Sequence, residues 1–269
     1  MSRVFVAEER AFGRKVVVKV LPPELTAGLS VSRFKREIQL AAQLQHPHIV
    51  PVHSAGEMEG LPYYTMPFVD GLSLRERLER GDALPIAEIV RILKDVARAL
   101  AYAHERGVVH RDIKPENLMW VEKTRKVMVA DFGLAAVYHT VYDEEKAFIL
   151  GSPLYVSPEQ ARGDAVDGRA DLFSLGCVLL ELTLGFLPVK VERPERIFQT
   201  RAKESPDMFT GMARDHSVSV PRAWSDFMAK ALVPKRDQRF RDAEEMLAAL
   251  RVIAPGLRVT DKETPVPRT

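Results

Sequence analysis

Residues 110–117 read "HRDIKPEN": two carboxylates, two cations and an amide crowded into eight positions around Pro115. Proline inside a helix removes a backbone donor and clashes with the preceding turn. Asp112, Lys114 and Asn117 are therefore not the charged stripe of a surface helix; they belong to a loop, where such groups can converge. "GVVH" (107–110) and "KVMVADFG" (126–133) read as short strands on either side. The second of them carries another carboxylate, Asp131.

Working outward, residues 86–104 carry Ile89, Ile92, Leu93, Val96 and Leu100 at helical spacing, which predicts a long amphipathic helix. Nearer the start, "KVVVKVL" (15–21) is a β-branched strand stopped by Pro22 and Pro23. Alternation puts Val17, Lys19 and Leu21 on one face and Val16, Val18 and Val20 on the other. "VSRFKREIQLAAQL" has apolar residues at 31, 34, 38 and 41, again helical spacing, with Glu37 close to that face. "HIVPVHSAG" and "LPYYTMPFV" read as two strands joined by a turn. Downstream, "ADLFSLGCVLLELTLG" (170–185) is apolar nearly all round and predicts a core helix. The end, "APGLRVTDKETPVPRT", loses this periodicity and reads as a loose tail.

Composition bounds the function classes. The 269 residues suffice for one large domain or for two lobes about a cleft. With 39 basic and 37 acidic residues the net charge is +2, so nothing points to nucleic acid or an anionic membrane. Cys177, the only cysteine, excludes an intramolecular disulfide and reads as a buried, inert thiol. The longest apolar stretch, 172–187, is interrupted by Ser174, Glu181 and Thr183 and is too polar to span a membrane. The start lacks the signal-peptide pattern, so a cytoplasmic address is expected.

Alone, "VVVK" could be a core strand with a snorkelling lysine, and "ADFG" any strand followed by a turn. Their order with a helical Glu, "HRDIKPEN" and "GSPLYVSPEQ" (151–160) is more specific. In that order the sequence resembles the eukaryotic-type protein kinases, and most of all their bacterial serine/threonine branch, from about Ser2 to Leu250. The resemblance implies an α+β, two-lobed protein-kinase fold. Its N-lobe would span residues 1–66, the hinge 67–71 and the C-lobe 72–254, with a tail at 255–269. It implies ATP and Mg2+ (or Mn2+) as cofactors, protein Ser/Thr hydroxyls as acceptors, and autophosphorylation.

Phosphoryl transfer leaves the protein mainly positioning and charge neutralisation. By resemblance, Lys19 holds the α- and β-phosphates and Glu37 fixes Lys19. Asp131 chelates the metal and Asn117 holds a second ion. Asp112 orients the substrate hydroxyl and takes its proton, and Lys114 stabilises the transferring phosphate. Val4, Val17 and Met119 enclose the adenine, with Met66 behind it and Pro67 to Val69 as the hinge; plain core packing would satisfy each of these equally. Asp171 braces the catalytic loop, Glu159 and Arg239 form a buried ion pair, and Phe132 stacks on His110.

Two departures from the family stand out. "MSRV" supplies only the end of the glycine-rich phosphate loop, with Ser2 in place of its third glycine and Val4 as its valine. The earlier glycines and the first strand are expected before Met1, and the intact downstream residues favour a start assigned too late over a truncated copy. In the segment after Asp131, Lys146, Ala147 and Phe148 stand where a phosphorylated hydroxyl residue is usual, although Ser152 keeps the hydroxyl of the later threonine. Glu145, in the acidic run 143–145, either pairs with Arg111 in place of a phosphate or belongs to a solvated loop. Thr140 and Tyr142 are candidate autophosphorylation sites. A nucleotide-binding pseudokinase and a small-molecule kinase are the competing function classes; "SPE" and Asp171 favour a protein substrate.

Overall fold

The chain is described by a computed structural model over residues 3–21, 31–81, 84–132, 153–187 and 220–257. Strands β1 (Arg3–Glu9) and β2 (Arg14–Val20) form a hairpin. Helix α1 (Val31–Ala42) follows, then β3 (Ser54–Met58) and β4 (Leu61–Pro67). The four strands make an antiparallel sheet in the order β1-β2-β4-β3. Register sets Val4 beside Lys19 and Lys19 beside Tyr64, one row across the sheet. The next row sets Val6 beside Val17 and Val17 beside Met66. On this face Leu21 and Tyr64 pack with Ile38 of α1, and Val52 and Met66 flank them.

Residues 68–71 lead from this sheet to a second one, formed by β5 (Leu72–Ser73), β6 (Leu118–Val121) and β7 (Lys126–Val129). A short helix, α2 (Leu74–Glu79), starts at Ser73, whose hydroxyl and backbone form a reciprocal capping box with Glu76. The predicted amphipathic helix is α3 (Ile86–His104), with Ile92, Leu93, Val96, Ala99 and Leu100 fully buried. Helices α4 (Pro158–Arg162), α5 (Arg169–Leu184), α6 (Arg222–Ala231) and α7 (Ala243–Leu257) complete the described helical part. Helix α5 is buried without a break from Ala170 to Leu182, Cys177 included, and forms the axis of the large core with α3. The architecture is α+β, with sheet and α1 first and helices after, as expected. No helix among the described residues is long and apolar enough to cross a membrane.

Two expected strands differ. Residues 107–110 make no strand, because the amides of His110 and Arg111 donate to the Asp171 carboxylate instead of a ladder. "HIVPVHSAG" pairs as a strand only from Ser54. Ahead of Pro51, Ile49 bridges Val129 in parallel, and Val50 N donates to Val129 O at 2.9 Å. That bridge ties the α1–β3 connection to β7, joining the first sheet to the helical part.

Candidate active site

Buried Asp171 shapes the loop that carries Asp112. Its carboxylate accepts from His110 N at 2.8 Å and Arg111 N at 2.7 Å, and His104 Nε2 meets Oδ2 at 2.7 Å. Burial pushes this carboxyl up, but His104 and His110 outweigh it and hold it below the usual range. His110 Nε2 donates to Ala130 O at 2.8 Å, and its ring meets Phe132 edge-on at 4.7 Å. Arg111 adopts φ 66°, in the left-handed region that side chains avoid, so the loop turns sharply at the residue before Asp112.

Pro115–Asn117 is a single 3-10 turn, and it folds Asn117 back onto Asp112. Asn117 Nδ2 donates to Asp112 O at 2.8 Å and to Asp112 Oδ2 at 3.0 Å, while Lys114 Nζ meets the same Oδ2 at 2.8 Å. Asp112, Lys114 and Asn117 are thus brought together. Ala130 N donates to Asn117 O at 2.9 Å, which ties Asp131 to this cluster.

Asp131 also has φ 66°. Its Oδ2 lies 2.7 Å from Lys19 Nζ, and its Oδ1 accepts from the Tyr64 hydroxyl at 2.7 Å. Burial raises its pKa, but the Lys19 charge and both hydrogen bonds win and hold the carboxyl below the usual carboxylate range. Lys19 therefore pairs with Asp131. Glu37 is half-buried on α1 next to Ile38 and makes no ion pair with Lys19 among the described residues. Val17 and Met66 are cross-strand neighbours, Val4 is exposed on β1, and Met119 sits on β6 opposite Ser73. Pro67 is the last residue of β4, paired with Val16, and Val69 lies in the connection between the sheets.

Arg111 Nε is buried without a hydrogen-bond partner among the described residues. Glu145, Thr140, Tyr142 and Ser152, the positions discussed around it, lie outside them. Glu159 and Arg239 form a bidentate, buried pair with both contacts at 2.7 Å. Sequence reading missed Tyr64, which looked like one more residue of a strand; counting two residues back from Met66 on the register would have set it beside Lys19. It also missed Arg75 on α2, whose guanidinium joins Glu116 of the loop at 2.9 Å and Glu181 of α5 at 2.8 Å.

Asn117 directs its NH2 at Asp112, and its amide oxygen makes no hydrogen bond among the described residues. With the Asp131 carboxylate, that oxygen gives the hard donor set that a divalent cation such as Mg2+ prefers.

A protein kinase domain model matches residues 1–250. The chain is 38% identical over 256 residues to the serine/threonine-protein kinase PknB of Mycobacterium leprae, covering 93% of this chain and 40% of that protein. It is 36% identical over 266 residues to a probable serine/threonine-protein kinase, SCO3848, of Streptomyces coelicolor, covering 95% and 38%. The serine/threonine-protein kinase PrkC of Bacillus subtilis is 32% identical over 263 residues, with 97% and 40% covered. The chain thus spans about two fifths of the length of these relatives. A match over nearly all of its residues, on a loop braced in this way, means that the chain belongs to the protein kinase family, among relatives of the bacterial serine/threonine kind.

Proposed function

We propose that this chain transfers the γ-phosphate of ATP to serine and threonine hydroxyls of proteins. The observation that carries the reading is the convergence of Asp112, Lys114 and Asn117, tied through Ala130 N to Asp131. A base for the acceptor hydroxyl, a cation for the moving phosphate and two oxygen donors for metal then share one small site.

The cation is Mg2+, with Mn2+ as a substitute, held by Asp131 and Asn117; bound, it neutralises phosphate charge. Lys19 takes the α- and β-phosphates, and its counter-charge is Asp131 rather than Glu37. Val4, Val17 and Met119 enclose the adenine, Met66 stands behind it, and Pro67 to Val69 offer backbone groups to its edge. The lobes divide at residues 67–71, and the need for ATP fits the cytoplasm. Acceptors are proteins, the chain itself among them.

The test is transfer of labelled γ-phosphate to protein and to small hydroxyl acceptors, with Asp131→Asn as the control. Label on Ser and Thr of protein, lost in the variant, is expected. Retained transfer by the variant would sink the metal role. ATP binding with no transfer to any acceptor would mark a nucleotide-binding module, and label on small acceptors alone a small-molecule kinase.

A further inference from the structure

We propose that Tyr64 is a positioning residue for the metal-binding carboxylate of Asp131, an inference that rests on the kinase reading above. Tyr64 is 1% exposed, buried between the first sheet and Ile38 of α1. A buried phenol hydroxyl needs a hydrogen-bond partner. Here that partner is Asp131 Oδ1, at 2.7 Å. The register explains how it reaches: Tyr64 is the direct cross-strand neighbour of Lys19, and the two side chains bind opposite oxygens of one carboxylate.

The arrangement fixes the plane of the carboxylate. An ionised carboxylate has about four acceptor sites, two on each oxygen. Among the described residues Tyr64 and Lys19 take one apiece, which leaves one on each oxygen for a cation. The backbone at Asp131 needs such support, because its φ of 66° is unfavourable for a residue with a side chain. Ala130 and Phe132 secure the segment before and after it through Asn117 and His110. Among the described residues, only the side-chain contacts with Lys19 and Tyr64 aim the carboxylate. Lys19 is long, flexible and claimed by phosphate in the reaction, whereas Tyr64 is rigid and has two torsions.

Partners that orient a metal ligand are worth about 10–100-fold in metal affinity. The Tyr64→Phe variant should therefore need about 10–100-fold more Mg2+ for half-maximal ATP binding, followed by calorimetry or a fluorescent nucleotide. Its affinity for metal-free ATP should match that of the wild type, and saturating Mg2+ should restore most of kcat. A residue that only packed the core would lower the melting temperature without moving the Mg2+ midpoint, and that result overturns the proposal. A second measurement needs no destabilised protein: 3-fluorotyrosine in place of Tyr64 should show a 19F shift on adding Mg2+ to the ATP complex. A signal that ignores Mg2+ also overturns it. Asp131→Asn separates the two levels: if that variant keeps the wild-type Mg2+ dependence of ATP binding, the metal-site reading itself fails, whatever Tyr64 does.

Discussion

Replacing Lys19 by methionine removes the cation at Asp131 Oδ2 and, on the proposed function, the one at the α- and β-phosphates. Preorganised charges of this kind are worth about 10²–10³-fold in rate, so kcat of Lys19→Met should fall by at least that factor. The lost contact also costs stability, because the Asp131 side chain is only 14% exposed and, among the described residues, keeps only Tyr64. A desolvated group left short of a partner costs about 1–3 kcal/mol, measurable by urea denaturation. Lys19, Asp112, Asn117 and Asp131 were readable as candidates in the sequence because each sits in a motif of the family it resembles. The Lys19–Asp131 pair was not, since 112 positions separate them and only the docking of the sheet on the loop brings them together.

The elements divide by how strongly their periodicity constrains them. Helix α3 runs from Ile86 to His104, the limits read from the sequence, because a long run of apolar residues on one face has one way to be buried. Residues 107–110 read as a strand by composition, yet a distant side chain, Asp171, takes the amides of His110 and Arg111, and no local pattern announces that. Gly71, where the connection between the sheets enters β5, marks a close approach: a Cβ there would lie 2.1 Å from Trp120 O. Gly71→Ala must push β5 off β6, and overpacking of this kind costs about 1–3 kcal/mol, read from the urea midpoint. A second prediction concerns the connection from α1 to β3. His46 stacks on Tyr102 of α3 at 5.1 Å. Burial, then His48, Arg98 and Arg106, lower its pKa below 6.5, against a smaller opposing effect of Asp95. The unfolded chain then binds more protons between the folded and unfolded pKa values than the folded one, so stability rises with pH through this window and is lost as pH falls through it. His46→Gln should flatten that slope in denaturation curves taken across the window; an unchanged slope would assign the effect to another group.

At the scale of the whole molecule, long-range polar anchors hold the segment after the active site against the helical core. Tyr155 O accepts from Ser174 on α5 at 2.7 Å, and Gln160 Nε2 donates to Arg111 O at 2.9 Å. Glu159 at the start of α4 binds Arg239 in a pair that is 3% and 0% exposed. This pair was legible by resemblance, but its further partners were not. Arg239 also donates to the carbonyls of Val233, Pro234 and Arg169, and its guanidinium lies 4.8 Å from the centre of the Phe173 ring. Removing one member of a buried pair costs about 3–5 kcal/mol, so Glu159→Ala should lose that much. Replacing both members of an isolated pair by apolar residues is often neutral or even stabilising. Here the double variant Glu159→Leu/Arg239→Met also strips three carbonyls of their donor, and a buried acceptor left unpaired costs about 1–3 kcal/mol. The double variant should therefore stay well below wild type in urea denaturation. Recovery to wild-type stability would show that neither the ion pair nor the carbonyl contacts of Arg239 add net stability over apolar packing at this place.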